Sequence, residues 1–284
     1  MGFHRTVMRV LLVACAVSLA ADAVHAAAIF WDGGGDGASW SDPNNWSTNT
    51  LPGPSDDVTI SVAGNIAVAH STGTTSINSL QCDEALVLSG GSLSIAAGSQ
   101  IAVFTLSGGT LSGTGAVTVS GSMNWTGGTM SGSGTTVIAS DALLSLQGTE
   151  YKQLSGRTLR NLGTAVWTQG PITIYSGGKF VNEVGGVFDA RVDNIVYMFG
   201  GQGTFDNRGE LRKSAGAGTT WIGHSSTSGP GRFSNSGTVQ VQSGTVSIWL
   251  TGANSSSGSF DAGPGTELSL NTTSTGTHTL EAGS

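Results

Sequence analysis

Three short motifs decide the fold: GGSLS at residues 90–94, GGTLS at 108–112 and GGTMS at 127–131. They recur at intervals of 18 and 19 residues. A short fixed period is typical of repeat architectures in which each repeat packs on its neighbours. Between the motifs, apolar and polar residues alternate, as in AVTV at 116–119. This alternation predicts short β-strands with one buried face.

A second series of motifs begins with asparagine: NLGTAV at 161–166, NEVGGV at 182–187, NRGEL at 207–211 and NSGTV at 235–239. These asparagines are 21, 25 and 28 residues apart. Gly and Asn tolerate a left-handed backbone, so we expect both series to form turns between the strands. We also expect small side chains inside the coils, and Thr or Ser on their outer faces.

The composition excludes several other classes of protein. The 284 residues include 45 Gly, 6 Pro and 10% charged residues, with a net charge of -7. The glycines have no three-residue period, which excludes collagen, and the helix-forming residues do not dominate, which excludes a coiled coil. A hydrophobic content of 38% at this modest charge favours a folded, β-rich chain over a disordered one.

Together the motifs predict that residues 58–284 form a solenoid of stacked coils. With coils about 4.8 Å apart, on the order of 11 coils would give a rod about 50 Å long. The series resembles the right-handed parallel β-helix repeats of secreted bacterial surface proteins, including autotransporter-passenger-like and adhesin-like proteins. The Trp-, Asp- and Gly-rich stretch that begins with WDGGGDG at 31–37 is similar to a module that opens many such proteins. The resemblance implies an all-β, right-handed parallel β-helix with a small Trp-rich cap at residues 27–57, and a structural or adhesive role.

Residues 1–26 have the pattern of a secretory signal peptide, with basic residues before an apolar run and small residues before the cut. A lipidated N-terminus at Cys15 is the alternative, because LVAC at 12–15 resembles a bacterial lipobox. We therefore predict a secreted or surface-attached protein with no transmembrane helix in the mature chain. Cys82 would be its one cysteine, buried in the core. The sequence stops in what looks like another coil, so we expect an incomplete C-terminal end.

The cap region contains two sets of candidate ligand-binding residues. Carboxylate oxygens are the ligands that Ca²⁺ prefers, and five acidic residues could supply them. These are Asp32, Asp36, Asp42, Asp56 and Asp57. Trp31, Trp40 and Trp46 could form an exposed platform on which sugars stack. The alternative is that the aspartates cap turns and the tryptophans form the core of the cap.

Positive charge is concentrated in one part of the sequence. No Lys or Arg lies between residues 10 and 151, whereas residues 152–232 contain nine basic and five acidic side chains. This section could form a groove for an acidic polysaccharide, or its charges could be solvated coil corners. The candidates are Lys152, Arg157, Arg160, Lys179, Arg191, Arg208, Arg212 and Lys213. The acidic net charge and the lack of a recognised motif disfavour nucleic acid as a partner.

An enzyme on this scaffold would need a converging acid and base. Asp189 and Asp193 are the nearest candidates, and His224 is predicted to be a turn residue. We therefore predict a non-enzymatic structural or adhesive protein of the bacterial cell surface or matrix. The alternatives are a carbohydrate-binding protein, for instance of cell-surface or matrix polysaccharide, and a polysaccharide lyase or hydrolase. We expect no cofactor other than calcium.

Overall fold

The structure, a computed structural model, describes residues 28–199, 202–224, 231–250, 254–272 and 278–280. The predicted signal peptide and Cys15 lie outside these residues, as do residues 273–277 and 281–284 of the predicted C-terminal end.

The described chain is nearly all β, with one three-residue 3₁₀ helix at Pro43–Asn45. In chain order the strands are β1 (Ala28–Phe30), β2 (Asp57–Ile60), β3 (Ala67–His70), β4 (Thr74–Ile77), β5 (Ser79–Leu88), β6 (Ser92–Ile95), β7 (Ser99–Leu106), β8 (Thr110–Ser112), β9 (Ala116–Trp125), β10 (Gly128–Ser131), β11 (Thr135–Ile138), β12 (Leu143–Leu146), β13 (Lys152–Ser155), β14 (Thr158–Asn161), β15 (Thr164–Trp167), β16 (Ile172–Tyr175), β17 (Lys179–Asn182), β18 (Val187–Ala190), β19 (Ile195–Met198), β20 (Thr204–Asn207), β21 (Glu210–Lys213), β22 (Thr219–His224), β23 (Arg232–Asn235), β24 (Thr238–Val241), β25 (Thr245–Leu250), β26 (Asn254–Ser256), β27 (Ser259–Ala262), β28 (Glu267–Thr272) and β29 (His278–Leu280).

The strands stack into a parallel β-solenoid with three faces, as the repeats predict. The first face contains β2, the N-terminal parts of β5, β7 and β9, and then β11, β14, β17, β20 and β23. The second face contains β3, the C-terminal parts of β5, β7 and β9, and then β12, β15, β18, β21, β24 and β27. The third face is a ten-stranded sheet from β4 to β28 that takes one strand from each coil.

The GG repeats lie where the turns of successive coils touch. Gly91 has φ +65°, and a Cβ at this position would overlap the Gly73 carbonyl oxygen of the coil below. Gly128 has φ +80°, and its Cβ would lie 2.5 Å from the Gly109 carbonyl oxygen. Only glycine fits both the positive φ and the close approach of the two backbones. The GG repeats therefore form turns that pack closely on those of the neighbouring coils, and turns are what the sequence predicts there.

The inward positions contain large apolar side chains, so the expectation of small ones was wrong. On the third face Leu93, Leu111 and Met130 stack in register and are fully buried, with Thr and Ser pointing outward on either side. Cys82 is also fully buried, as predicted. The alternation of buried and less buried residues follows from the period-two pattern of a strand.

The asparagine motifs span the turns between first-face and second-face strands, as expected, but the asparagines themselves do not lie in the turns. Asn161, Asn182, Asn207 and Asn235 are each the last residue of a first-face strand, and all four side chains point inward and are buried. Each Nδ2 of the first three donates to the Oδ1 of the next asparagine, at 2.9, 2.8 and 2.8 Å. This asparagine ladder satisfies amides that would otherwise be buried without partners.

A column of aromatic rings runs beside the asparagine ladder. Phe180 and Phe205 stack with ring centroids 4.9 Å apart, and Phe205 stacks on Phe233 at 6.0 Å. Phe188 on the second face packs edge-on against both Phe180 and Phe205 at 5.2 Å. Parallel in-register strands bring like residues together in this way, because equivalent positions repeat along the stack.

Candidate functional site

The three tryptophans of the cap region form a buried cluster. Trp31, Trp40 and Trp46 are 3%, 0% and 0% exposed. The Trp46 ring contacts both others edge-on, with centroids 4.9 Å apart, and its Nε1 donates to the Trp40 carbonyl oxygen at 2.9 Å. The prediction of an exposed sugar-stacking platform at these residues is therefore wrong. Their indole faces are covered because they pack the base of the solenoid.

Four of the five candidate calcium ligands accept hydrogen bonds from backbone N–H groups two or three residues away, and the fifth, Asp57, bonds to the next coil. Asp36 Oδ1 accepts the backbone N–H groups of Ser39 and Ala38 and the side chain of Asn45, and these bonds lower the pKa of Asp36 in that order of importance. Asp42 is the N-cap of the 3₁₀ helix. Such short-range bonds to backbone donors are typical of turn-capping aspartates.

Two of the remaining aspartates also cap their own turns, whereas Asp57 bonds to side chains of the next coil. Asp32 Oδ1 accepts the Gly34 N–H, and Asp56 Oδ2 accepts the Gly53 N–H. Asp57 Oδ1 accepts Ser79 Oγ and Asn78 Nδ2, which lower its pKa. In the part of the chain that the structure describes, no three His, Cys, Asp or Glu side chains are grouped to hold a metal ion. Calcium binding at these five residues stays a prediction.

Three of the eight basic candidates are buried inside the solenoid, which corrects their assignment to exposed corners or a groove. Lys152, Arg157 and Lys213 are each 0% exposed. Lys152 Nζ donates to the carbonyl oxygens of Gly148, Glu150 and Gln169, at 2.9, 3.2 and 3.0 Å. Burial lowers the pKa of Lys152 to about 8, because the charged form is poorly solvated there.

Arg157 connects three successive coils from within. Its Nε donates to Thr136 Oγ1 at 2.8 Å, and its Nη2 donates to the carbonyl oxygens of Gly115 and Thr135 at 3.1 and 3.0 Å. Its Nη1 makes longer bonds to the Gly113 and Ser131 carbonyl oxygens. Burial lowers the pKa of Arg157 to about 10, and the five acceptors offset that penalty. This arginine has a structural role.

Most of the other basic candidates form ion pairs on the outside of the rod. Glu183 joins Arg160, at 2.7 Å, to Arg208, at 3.2 Å, across neighbouring coils. Asp189 pairs with Arg191 at 2.8 Å and with Arg212 at 3.2 Å. Four of the five remaining candidates are therefore paired with carboxylates, although the section keeps its excess of nine basic over five acidic side chains.

Lys179, the last of the eight candidates, is exposed and lines a groove. The groove lies on the outer side of β17, β20 and β23 and has a volume of about 330 Å³. Arg208, Arg232 and Asp206 line it as well. The groove thus brings together three cations and one carboxylate, whereas the sequence suggested a groove lined by eight basic residues.

Asp189 and Asp193 do not form an acid–base pair. Burial alone would raise the pKa of Asp189, but hydrogen bonds from Ser214, Arg212 and Arg191 outweigh it and lower the pKa. Asp193 lies beyond β18 and accepts Lys213 Nζ at 2.6 Å, which also lowers its pKa. A general acid needs a pKa near the working pH, and both carboxyl groups are instead held ionised. The prediction that they could share a face as a catalytic pair is not supported by this geometry.

Sequence reasoning missed a set of aromatic side chains on the outside of the third face. They are half-buried or exposed and are Tyr151, Tyr175, Tyr197, Phe199, Trp221 and Trp249. We call this set the aromatic strip. The alternation in IVYMF at 195–199 carried the signal, because buried Val196 and Met198 place Tyr197 and Phe199 outward. His224 is the last residue of β22, so the prediction that it is a turn residue is wrong.

Comparison with family models, with curated proteins and with solved structures finds no match to this chain. Among the described residues, no helix is long and apolar enough to cross a membrane.

Proposed function

We propose that the chain is an exported, non-enzymatic β-solenoid that serves as a structural or adhesive rod at a bacterial cell surface or in the extracellular matrix. The observation that carries this proposal is the continuous third-face sheet of ten parallel strands over a filled core. Such a stack is a spacer with flat, repeated outer surfaces, and its stability accumulates from one coil to the next.

Two further points support the proposal. The repeats resemble those of autotransporter-passenger-like and adhesin-like proteins, and residues 1–26 have the pattern of a signal peptide. The candidate acid–base residues, Asp189 and Asp193, are used in ion pairs. The role therefore rests on shape and surface chemistry rather than on a reacting group.

The export part of the proposal is tested by N-terminal sequencing of protein recovered outside the cells that express the full chain. We expect a mature protein that begins at Ala27. A lipid-modified Cys15, or protein retained inside the cell with Met1 intact, would contradict the predicted cut.

The functional part is tested by incubating the chain with insoluble neutral and acidic polysaccharides. We expect the rod to be retained on at least one polymer without release of soluble sugar. Release from any polymer would overturn the non-enzymatic assignment. Parallel incubations with Ca²⁺ and with a chelator test the calcium prediction, and heat-unfolded protein is the control for non-specific retention.

A further inference from the structure

The third face has an outer surface unlike the other two. Aromatic rings project from it on four successive coils, at β16, β19, β22 and β25. Trp221 is 37% exposed and Tyr151 is 52% exposed. With coils about 4.8 Å apart, these rings extend about 14 Å along the rod. Exposed aromatic residues grouped in this way mark an interaction site more often than singly scattered ones do.

The C-terminal end of the aromatic strip borders a shallow groove of about 310 Å³ across β22, β25 and β28. Trp221 and Trp249 both line it. Between them, Trp221 is in register with Ser247 and Ser269, and Trp249 is in register with Asn271. The two indoles are thus offset by one coil and flank a patch of hydroxyl and amide groups.

The polar groups of this groove are held in place by one another. Asn271 Nδ2 donates to Ser247 Oγ at 2.8 Å, and Asn271 Oδ1 accepts Ser269 Oγ at 3.4 Å. Thr219, Thr245 and Glu267 complete the lining. Preformed polar groups beside aromatic walls are characteristic of small-molecule and sugar sites, because the walls give contact area and the polar groups fix orientation.

The N-terminal part of the aromatic strip also presents aromatic rings on the outer side of the third face. Tyr151 and Tyr197 stack with ring centroids 6.4 Å apart, and Tyr197 stacks on Phe199 at 5.5 Å. The Tyr175 hydroxyl donates to Gln153 Oε1 at 3.0 Å, which fixes its ring on the outer face. A ligand that follows the strip therefore meets an aromatic surface at every coil.

We infer that the aromatic strip binds an uncharged polysaccharide chain that lies along the rod. A pyranose ring has apolar C–H faces that pack on the electron-rich face of an aromatic ring, and hydroxyl groups at its rim that pair with amides and alcohols. A repeating surface matches a repeating ligand. Among the residues that the structure describes, Glu267 is the one ionisable group that lines the groove, and none of them would attract a uronate or a sulfate. This inference rests on the proposed adhesive function and specifies its ligand class.

The test is affinity electrophoresis of the full chain in native gels that contain hydroxyethylcellulose, mannan or polygalacturonate. We expect a neutral polymer to retard the wild-type chain and polygalacturonate not to. Trp221→Ala with Trp249→Ala should weaken the retardation at least tenfold. Phe30→Ala, which removes an exposed ring outside the strip, should leave it unchanged.

Three single variants guard against a simple loss of folding. Trp221→Ala alone and Asn271→Ala should each weaken retardation while the circular dichroism spectrum and melting temperature stay close to those of the wild type. Trp221→Phe should recover part of the binding. Equal retardation of wild type and the double variant would remove the strip from the site but leave the adhesive function standing.

The remaining outcomes also decide the inference. Retardation by polygalacturonate alone would overturn it and point instead to the groove beside Lys179. No retardation by either neutral polymer would overturn it as well, whereas sugar release in the incubations described above would overturn the proposed function itself.

Discussion

The N-terminal (lower) and C-terminal (upper) halves of the rod have the same strand arrangement, but one column of inward side chains differs between them. In the lower coils the last inward position of the first face is held by Ile60, Cys82, Ile101, Val119 and Ile138. In the upper coils the same column continues as Asn161, Asn182, Asn207 and Asn235. The strands stay in register across the change.

This difference shows that an inward position must resemble the same position in the neighbouring coils, but that it need not be hydrophobic. An apolar column is stable through burial, whereas a polar column is stable because each amide finds its partner one coil away. Where the polar column meets the apolar one, the amide at its end lacks a ladder partner on one side. Asn161 lies above Ile138, and its Oδ1 has no hydrogen-bond partner among the described residues.

The largest effect is expected where the two halves meet. Arg157→Met keeps most of the buried volume but removes the donors to five acceptors in the coils below. We expect a loss of about 3–5 kcal/mol in the free energy of unfolding, measured by denaturant titration, because several charged hydrogen bonds are lost. Arg157→Lys should recover part of it. A change under about 1 kcal/mol would mean that the arginine does not join the halves.

Interrupting the asparagine ladder should have the next largest effect. Asn182→Leu leaves Asn161 Nδ2 and Asn207 Oδ1 without their ladder partners, and we expect a loss of about 2–4 kcal/mol. The matched variant in the lower half is Val119→Asn, which places a lone amide in an apolar column. It should also destabilise the rod, by about 2–3 kcal/mol. A neutral Val119→Asn variant would remove the distinction between the two halves.

Lys152 should give the rod a pH-dependent stability. Its pKa is about 8 in the folded rod and 10.5 when unperturbed, so the unfolded chain binds more protons between these values. Stability from this residue therefore rises as pH increases from about 8 to 10.5. Relative to Lys152→Met, the wild type should gain on the order of 1–2 kcal/mol between pH 7 and pH 9.5. A difference that stays flat or falls would contradict burial of the charged amine.

The smallest effect is expected on the outer surface of the upper half. Glu183→Gln removes the carboxylate that links Arg160 and Arg208, both of which are about half exposed. We expect a loss of at most about 1 kcal/mol that shrinks further in high salt. Thermal unfolding at low and high ionic strength measures it. A loss comparable to that of Asn182→Leu would show that the outer ion pairs, not the ladder, stabilise these coils.

The sequence was sufficient to predict the stacked coils, because the GG motifs and the period-two alternation are direct consequences of turns and half-buried strands. It also marked the correct asparagines but placed them in turns. Asparagine can recur at a regular spacing for two reasons: it tolerates a left-handed backbone in turns, and its amide can pair between coils. The residue type alone does not show which reason applies.

The site residues were less predictable, since exposure depends on which part of each coil faces inward. Trp31, Trp40 and Trp46 have the composition of a sugar platform but pack against each other in the core. Lys152 and Lys213 occupy inward positions in place of apolar residues, which no charge count reveals. The aromatic strip follows from strand register, which becomes clear only when neighbouring coils are aligned.

The asparagine ladder is tested most directly by a double-mutant cycle on Asn182→Leu and Asn207→Leu, with free energies of unfolding measured for both single variants and the double variant. We expect the double variant to lose less stability than the sum of the single ones, with a coupling of about 1 kcal/mol or more, because the first substitution already breaks the shared hydrogen bond. Additivity within about 0.5 kcal/mol would contradict the asparagine ladder as the feature that stabilises the upper half.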